Sequence, residues 1–198
     1  MFLYLSIVAV AAVMTIGLNI WLGTPYFGYI WWQVILMVIA SIVFEVIIDA
    51  FFAFITARLP AKAYKNEGGL YKTTKGEVRL YEHLGIKKWK DKIWELGKLN
   101  GFSKSSIADF SSPEYFDRFI LESKIGILGH FLGAVLGFGV MFIFPIKYAL
   151  VIGLPVALTN AIINLMSLMV LKYNMPKLRV ARERARRNKE RLKGDKND

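Results

Sequence analysis

Apolar residues gather in four long stretches, at residues 2–22, 29–57, 125–144 and 147–171, separated by polar segments of very unequal length. Each stretch reaches the roughly 20 residues that ~30 Å of hydrocarbon requires of a helix. The pattern predicts an all-α integral membrane protein with four transmembrane helices and a polar, helical insert between the second and third. The first stretch lacks a charged leading region and a small-residue cleavage site, so it reads as a retained helix. The organisation expected is a first hairpin at 1–57, a basic insert at 58–121, a second hairpin at 122–174 and a basic tail at 175–198, all within one membrane domain.

Charge orients these spans. Of 26 Lys and Arg, fourteen lie between Arg58 and Lys124, eleven lie from Lys172 onward, and Lys147 stands alone. The connectors "GTPYFG" and "FPIK" are short and nearly uncharged. The positive-inside rule then puts the insert, the tail and both termini on the cytoplasmic side of the cell membrane.

Inside the insert, "EHLGIKKWKDKIWELGKL" spaces Ile86, Trp89, Ile93 and Leu96 along one helical face, with Trp94 beside them and lysines opposite. Tryptophan with lysine beside spanning helices suits a helix lying in the membrane interface. "SSPEYFDRF" is a helix start, with Ser111 or Ser112 as cap, Pro113 in the first turn and Glu114 placed for a capping box. That helix is expected to run unbroken into the third span. Gly129, Gly133 and Gly137 recur along it every four residues, a spacing that lets helix backbones approach closely. The arginine-rich tail reads as a charged helix fading into disorder and facing anionic lipid, not nucleic acid.

The chain has no cysteine and two histidines. Thiolate chemistry is excluded and a metal site is not expected; no cofactor is called for. What stands out is polar residues at matching depth. Counting ~1.5 Å per residue from the cytoplasmic end of each span, His130 lies about 9 Å in, and Asn164 and Asp49 about 12–14 Å. Glu45 and Asn160 come one turn deeper, each four residues from its neighbour and on the same helical face. Three spans therefore carry polar groups in one half of the bilayer, where such groups face the bundle interior and mark candidate functional sites.

Between residues 58 and 187 the sequence resembles the glycosyl-4,4'-diaponeurosporenoate acyltransferases. The segments that carry the resemblance are "RLP" at 58–60, "KKWKDKI" at 87–93, "ESKIGILGH" at 122–130 and "LKYNMPKLR" at 171–179. The matching positions are Trp89, Lys90, Lys92, Glu122, Lys124, His130, Tyr173, Asn174 and Pro176, with Asn164 in the last span. The first span and the Glu45/Asp49 pair lie outside it. The resemblance implies a membrane enzyme that esterifies a sugar hydroxyl of a glycosylated carotenoid, or a related glycolipid, with a long fatty acyl chain.

Acyl transfer to an alcohol needs a base for the hydroxyl proton and stabilisation of the developing oxyanion. His130 is the only membrane-embedded group that titrates near neutrality, so it is the expected general base. Two carboxylates compete to orient it. The resemblance favours Glu122, while depth favours Asp49, and the sequence leaves the choice open. Asn164 is a candidate oxyanion donor. Lys87, Lys88, Lys90 and Lys92 offer charge either to a polyanionic donor such as acyl-CoA or to membrane lipid headgroups. The alternative from another class is a non-enzymatic scaffold or lipid-binding protein, distinguished by whether changes at His130 and Asp49 abolish function in correctly inserted protein. Oligomeric state is not legible in the sequence.

Overall fold

The computed structural model describes residues 2–93 and 112–194, so the expectations at Trp94, Leu96 and Ser111 lie outside the described residues. Among the described residues the structure is all helix, with no strand. The main helices are α1 (Phe2–Leu18), α2 (Trp31–Arg58), α3 (Lys75–His83), α4 (Pro113–Leu136) and α5 (Leu154–Gly194). Four helical runs are long and apolar enough to cross a membrane: Leu3–Gly23, Trp31–Arg58, Pro113–Phe142 and Ile146–Leu192. The last two outrun the spans read from hydropathy because polar helical turns continue them. The chain forms two compact units, residues 1–58 with 128–168 and residues 59–127 with 169–198.

The first unit holds α1, α2, the end of α4 and the start of α5. Its side chains are apolar on the outside as well as within: Val13 is 69% exposed and Trp21 72%. Helices hydrophobic all round suit a lipid surrounding. Between α1 and α2 the chain reverses at Gly28, whose φ of 66° lies in the left-handed region that favours glycine. Exposed Trp21, Trp31 and Trp32 flank this corner, as interfacial tryptophans do. Tyr29, Val34, Val38, Tyr148 and Ile152 make the core beneath it. Two π-helical turns, Asn19–Gly23 and Ala149–Gly153, interrupt the regular backbone bonding. Buried Asn19 spans them, its Nδ2 donating to Thr15 O and Val151 O, each at 2.8 Å. The amide nitrogen near the end of an apolar span thus donates to backbone carbonyls.

The second unit joins the insert to the end of the chain. Helix α3 starts with a capping box between Thr74 and Glu77, and Glu77 also takes the ammonium of buried Lys172. Pro176 sits inside α5. Having no N–H, it leaves the carbonyl four residues back, that of Lys172, without its helical donor. Thr73 Oγ1 donates to that carbonyl at 2.8 Å, so the proline is tolerated because the insert supplies the missing bond.

The lysine-rich segment departs from the interfacial helix expected of it. Residues 86–89 make a single turn after Gly85, followed by a 3-10 turn at Lys90–Lys92. Their apolar side packs on the protein itself: Ile86 is fully buried with Tyr81, Val170 and Tyr173, and Trp89 and Ile93 cover that cluster. Part of the charge of the tail is met within the protein. Arg186 pairs with Asp117 at 3.0 Å and Lys189 with Glu114 at 2.5 Å, so acids in the first turns of α4 take part of its charge. Helix α4 begins at Pro113 as expected, with Ser112 as cap, its Oγ accepting from Tyr115 N at 3.2 Å.

Candidate active site

In the first unit, three helices contribute residues at intervals of four: Glu45 and Asp49 from α2, Asn160 and Asn164 from α5, Gly133 and Gly137 around the end of α4. Four residues is close to one turn, so each pair lies on one helical face and the pairs meet as two rungs. In the first rung Asn160 Nδ2 donates to Glu45 Oε2 at 2.9 Å. In the second, Asn164 Nδ2 donates to Asp49 Oδ2 at 3.0 Å and Oδ1 at 3.2 Å. Asn164 Nδ2 also lies 3.2 Å from both the side-chain and backbone oxygens of Asn160, which ties the rungs together.

The glycines explain why these polar groups fit. A Cβ on Gly133 would collide with Asp49 Oδ1, and one on Gly137 would come within 2.6 Å of Glu45 Oε2. At these two positions it is carboxylate and amide side chains that occupy the space, not a neighbouring backbone. The backbone approach expected of the glycine series is found at Gly129, where a Cβ would lie 3.9 Å from Ala53 Cα.

His130 joins the second rung. Its Nδ1 lies 2.9 Å from Asn164 Oδ1. The Asn164 amide is oriented by the network, because its nitrogen faces the Asp49 carboxylate, which accepts only. Its oxygen therefore faces the imidazole and must receive a proton, so Nδ1 carries the hydrogen and the lone pair of the neutral ring lies on Nε2. Buried Asn164 thus stands between the histidine and the carboxylate. Its N–H groups are engaged by Asp49 and Asn160.

A family model described as glycosyl-4,4'-diaponeurosporenoate acyltransferase matches residues 60–184. The chain belongs to this family. It is an acyltransferase, and its family implies a lipidic glycosylated acceptor and an acyl donor. Comparison with curated proteins gives no match, and comparison with solved structures gives none. The matched region includes His130, Asn160 and Asn164 but begins after α2. Both carboxylates of the ladder therefore come from a helix outside the matched residues.

The other residues of the acyltransferase motifs lie in the second unit. Lys124 is 3% exposed, and its Nζ donates to Tyr64 O at 2.9 Å, Asn66 O at 3.0 Å and Glu67 Oε1 at 2.7 Å. All three ammonium hydrogens are used in holding the loop after α2. Arg179 grips the same Glu67 at 2.5 Å. Burial alone would raise the Glu67 carboxyl, but the Lys124 hydrogen bond and the charge of Arg179 hold it below the ordinary carboxylate range. Tyr173 donates to Glu82 Oε1 at 3.1 Å. Lys87 pairs with Glu82 and Lys90 with Asp91, while Lys88 and Lys92 are exposed. Trp89 Nε1 donates to Leu84 O at 3.0 Å. Glu122 and Asn174 are both half-buried. Sequence reasoning missed the acceptors around Lys124 and the Thr73 bond. Pro176 within a helical pattern was the one signal for the latter.

Proposed function

We propose that the enzyme transfers a long-chain fatty acyl group to a sugar hydroxyl of a glycosylated carotenoid or related glycolipid, with His130 as general base. The observation that carries the reading is the 2.9 Å contact between His130 Nδ1 and Asn164 Oδ1, with Asn164 in turn donating to Asp49. Held this way, the neutral imidazole offers Nε2 to the acceptor hydroxyl. The hydroxyl oxygen attacks the donor's acyl carbon as its proton passes to Nε2. The carbonyl becomes a tetrahedral oxyanion, which collapses by breaking the bond to the leaving group. The imidazolium returns the proton to that group, a thiolate if the donor is a thioester such as acyl-CoA, and the ester remains on the sugar. Through the Asn164 amide, the Asp49 charge stabilises the imidazolium during the interval. Asn164 and Asp49 are positioning residues in this scheme.

Both basic regions and both termini face the cytoplasm of the cell membrane in this reading, supported by the concentration of Lys and Arg in the insert and tail. The surface lysines at 87, 88, 90 and 92 add positive charge where a polyanionic donor or lipid headgroup arrives. Purified enzyme in lipid nanodiscs tests the reaction: with an alkyl glucoside and a long-chain acyl-CoA it should form the acyl glucoside, detected by mass spectrometry. Glucoside recovered unmodified with both thioester and phospholipid donors would count against the proposal.

A further inference from the structure

A cleft lies between α1, α2 and α5 of the first unit, on a wall that the His130 contact does not use. It encloses about 80 Å³ and is open to the surroundings, so a molecule seated there is held in part and extends beyond it. Ala11, Ala12 and Thr15 line it from α1, and their short side chains create the room. Val46 borders it and is 63% exposed, so the cleft reaches the surface of the unit.

Most of its polar groups are engaged within the protein. Thr159 Oγ1 donates to Pro155 O, and the Asn160 amide is engaged by Glu45. Glu45 also borders the cleft; it is 4% exposed, and its Oε1 is buried with no hydrogen-bond partner. A carboxylate oxygen removed from water without a donor is unusual and points to a partner that arrives from elsewhere. Apolar walls beside one unsatisfied acceptor call for an amphipathic molecule bearing a hydroxyl.

We infer that this cleft seats the acceptor, with one sugar hydroxyl donating to Glu45 Oε1 and the lipid chain lying along the alanine and valine wall. This rests on the acyl-transfer reading above and names where its acceptor binds. Asp49 borders the same cleft and also belongs to the His130 relay. It stands one helical turn from Glu45, about 5.4 Å along the axis, a span that one hexose ring bridges. A second hydroxyl of the held sugar is thereby brought to Asp49, the carboxylate end of the relay.

Photocrosslinking of the full chain in nanodiscs tests this with two probes, an alkyl glucoside carrying a diazirine in its chain and a diazirine fatty acid of equal length. In the wild-type protein the glucoside should attach within residues 8–15, 42–49 or 156–163 and be displaced by unlabelled alkyl glucoside. Ala11→Phe should lower that attachment about tenfold, equivalent to ~1.4 kcal/mol of affinity, and Glu45→Leu should remove the preference for glucoside over fatty acid. Mapping in the wild-type protein holds even if a variant fails to fold. Attachment of the glucoside outside these segments would overturn the assignment. So would equal labelling by the fatty acid, which would make the cleft a seat for the acyl chain. His130→Ala separates the two readings: retained turnover with glucoside mapped to the cleft defeats the base and leaves the cleft, and lost turnover with glucoside mapped elsewhere does the reverse.

Discussion

His130 and Asp49 are joined through one amide: Asn164 accepts from the His130 ring at 2.9 Å and donates to the Asp49 carboxylate at 3.0 Å. The arrangement divides two tasks that a single carboxylate performs in a Ser-His-Asp triad, fixing the tautomer and supplying the charge. Asn164→Leu removes both and Asp49→Asn removes only the charge. The loss of kcat should therefore be greater for Asn164→Leu. Glu122→Gln should retain turnover. If Glu122→Gln is inactive and Asp49→Asn is not, the orienting charge comes from Glu122.

Glycine at 133 and 137 is a steric requirement, and the expected consequence runs against helix propensity. Alanine favours an exposed helix over glycine by ~1 kcal/mol. At Gly17 an added Cβ would meet nothing within 4 Å, so Gly17→Ala should leave the melting temperature in detergent unchanged or raised. Gly133→Ala and Gly137→Ala must displace Asp49 or Glu45 and should lower it. Equal behaviour of all three variants would mean that the ladder yields freely.

The Thr73 hydroxyl answers the carbonyl that Pro176 leaves bare. Thr73→Val should destabilise the protein by ~1–3 kcal/mol, the cost of an unsatisfied buried acceptor. Pro176→Ala restores the helical donor, so Thr73→Val should cost less in that background. Additive losses in the double variant, read from urea denaturation, would show that the two residues are uncoupled.

Acid should weaken the second unit as pH falls through and below the range in which ordinary carboxylates titrate. Burial alone would raise Glu77, yet hydrogen bonds from Lys172 and Thr74 bring it below the usual carboxylate range, and Glu67 is lowered similarly. A depressed carboxyl contributes stability that is present above its unfolded pKa and lost as pH falls through its folded value. Thermal unfolding should therefore be flat near neutrality and drop below about pH 4, the unperturbed range for glutamate. Glu77→Gln should reduce that drop. A drop of the same size in the variant would remove Glu77 from the account.

Much of this was legible in the sequence because lipid and water select residues so strongly. The four spans, the helix start at Pro113 and the polar positions at 45, 49, 130, 160 and 164 all follow from hydropathy and helical period. The lysine-rich insert misled because Ile86, Trp89 and Ile93 present the same amphipathic pattern whether the apolar side meets lipid or Val170 and Tyr173. Periodicity reports that a face is buried and not what buries it. The ladder was hidden for a related reason. Depth counting put His130 and Asp49 close together, but only the packing reveals Asn164 between them.

The central claim is tested most directly by single-turnover acyl transfer in His130→Ala, measured in nanodiscs against wild type after insertion and folding are verified. The account predicts a rate lower by about 10²–10⁴-fold, the usual contribution of a positioned base, with acceptor binding retained. Near-normal turnover in correctly inserted His130→Ala protein would contradict it.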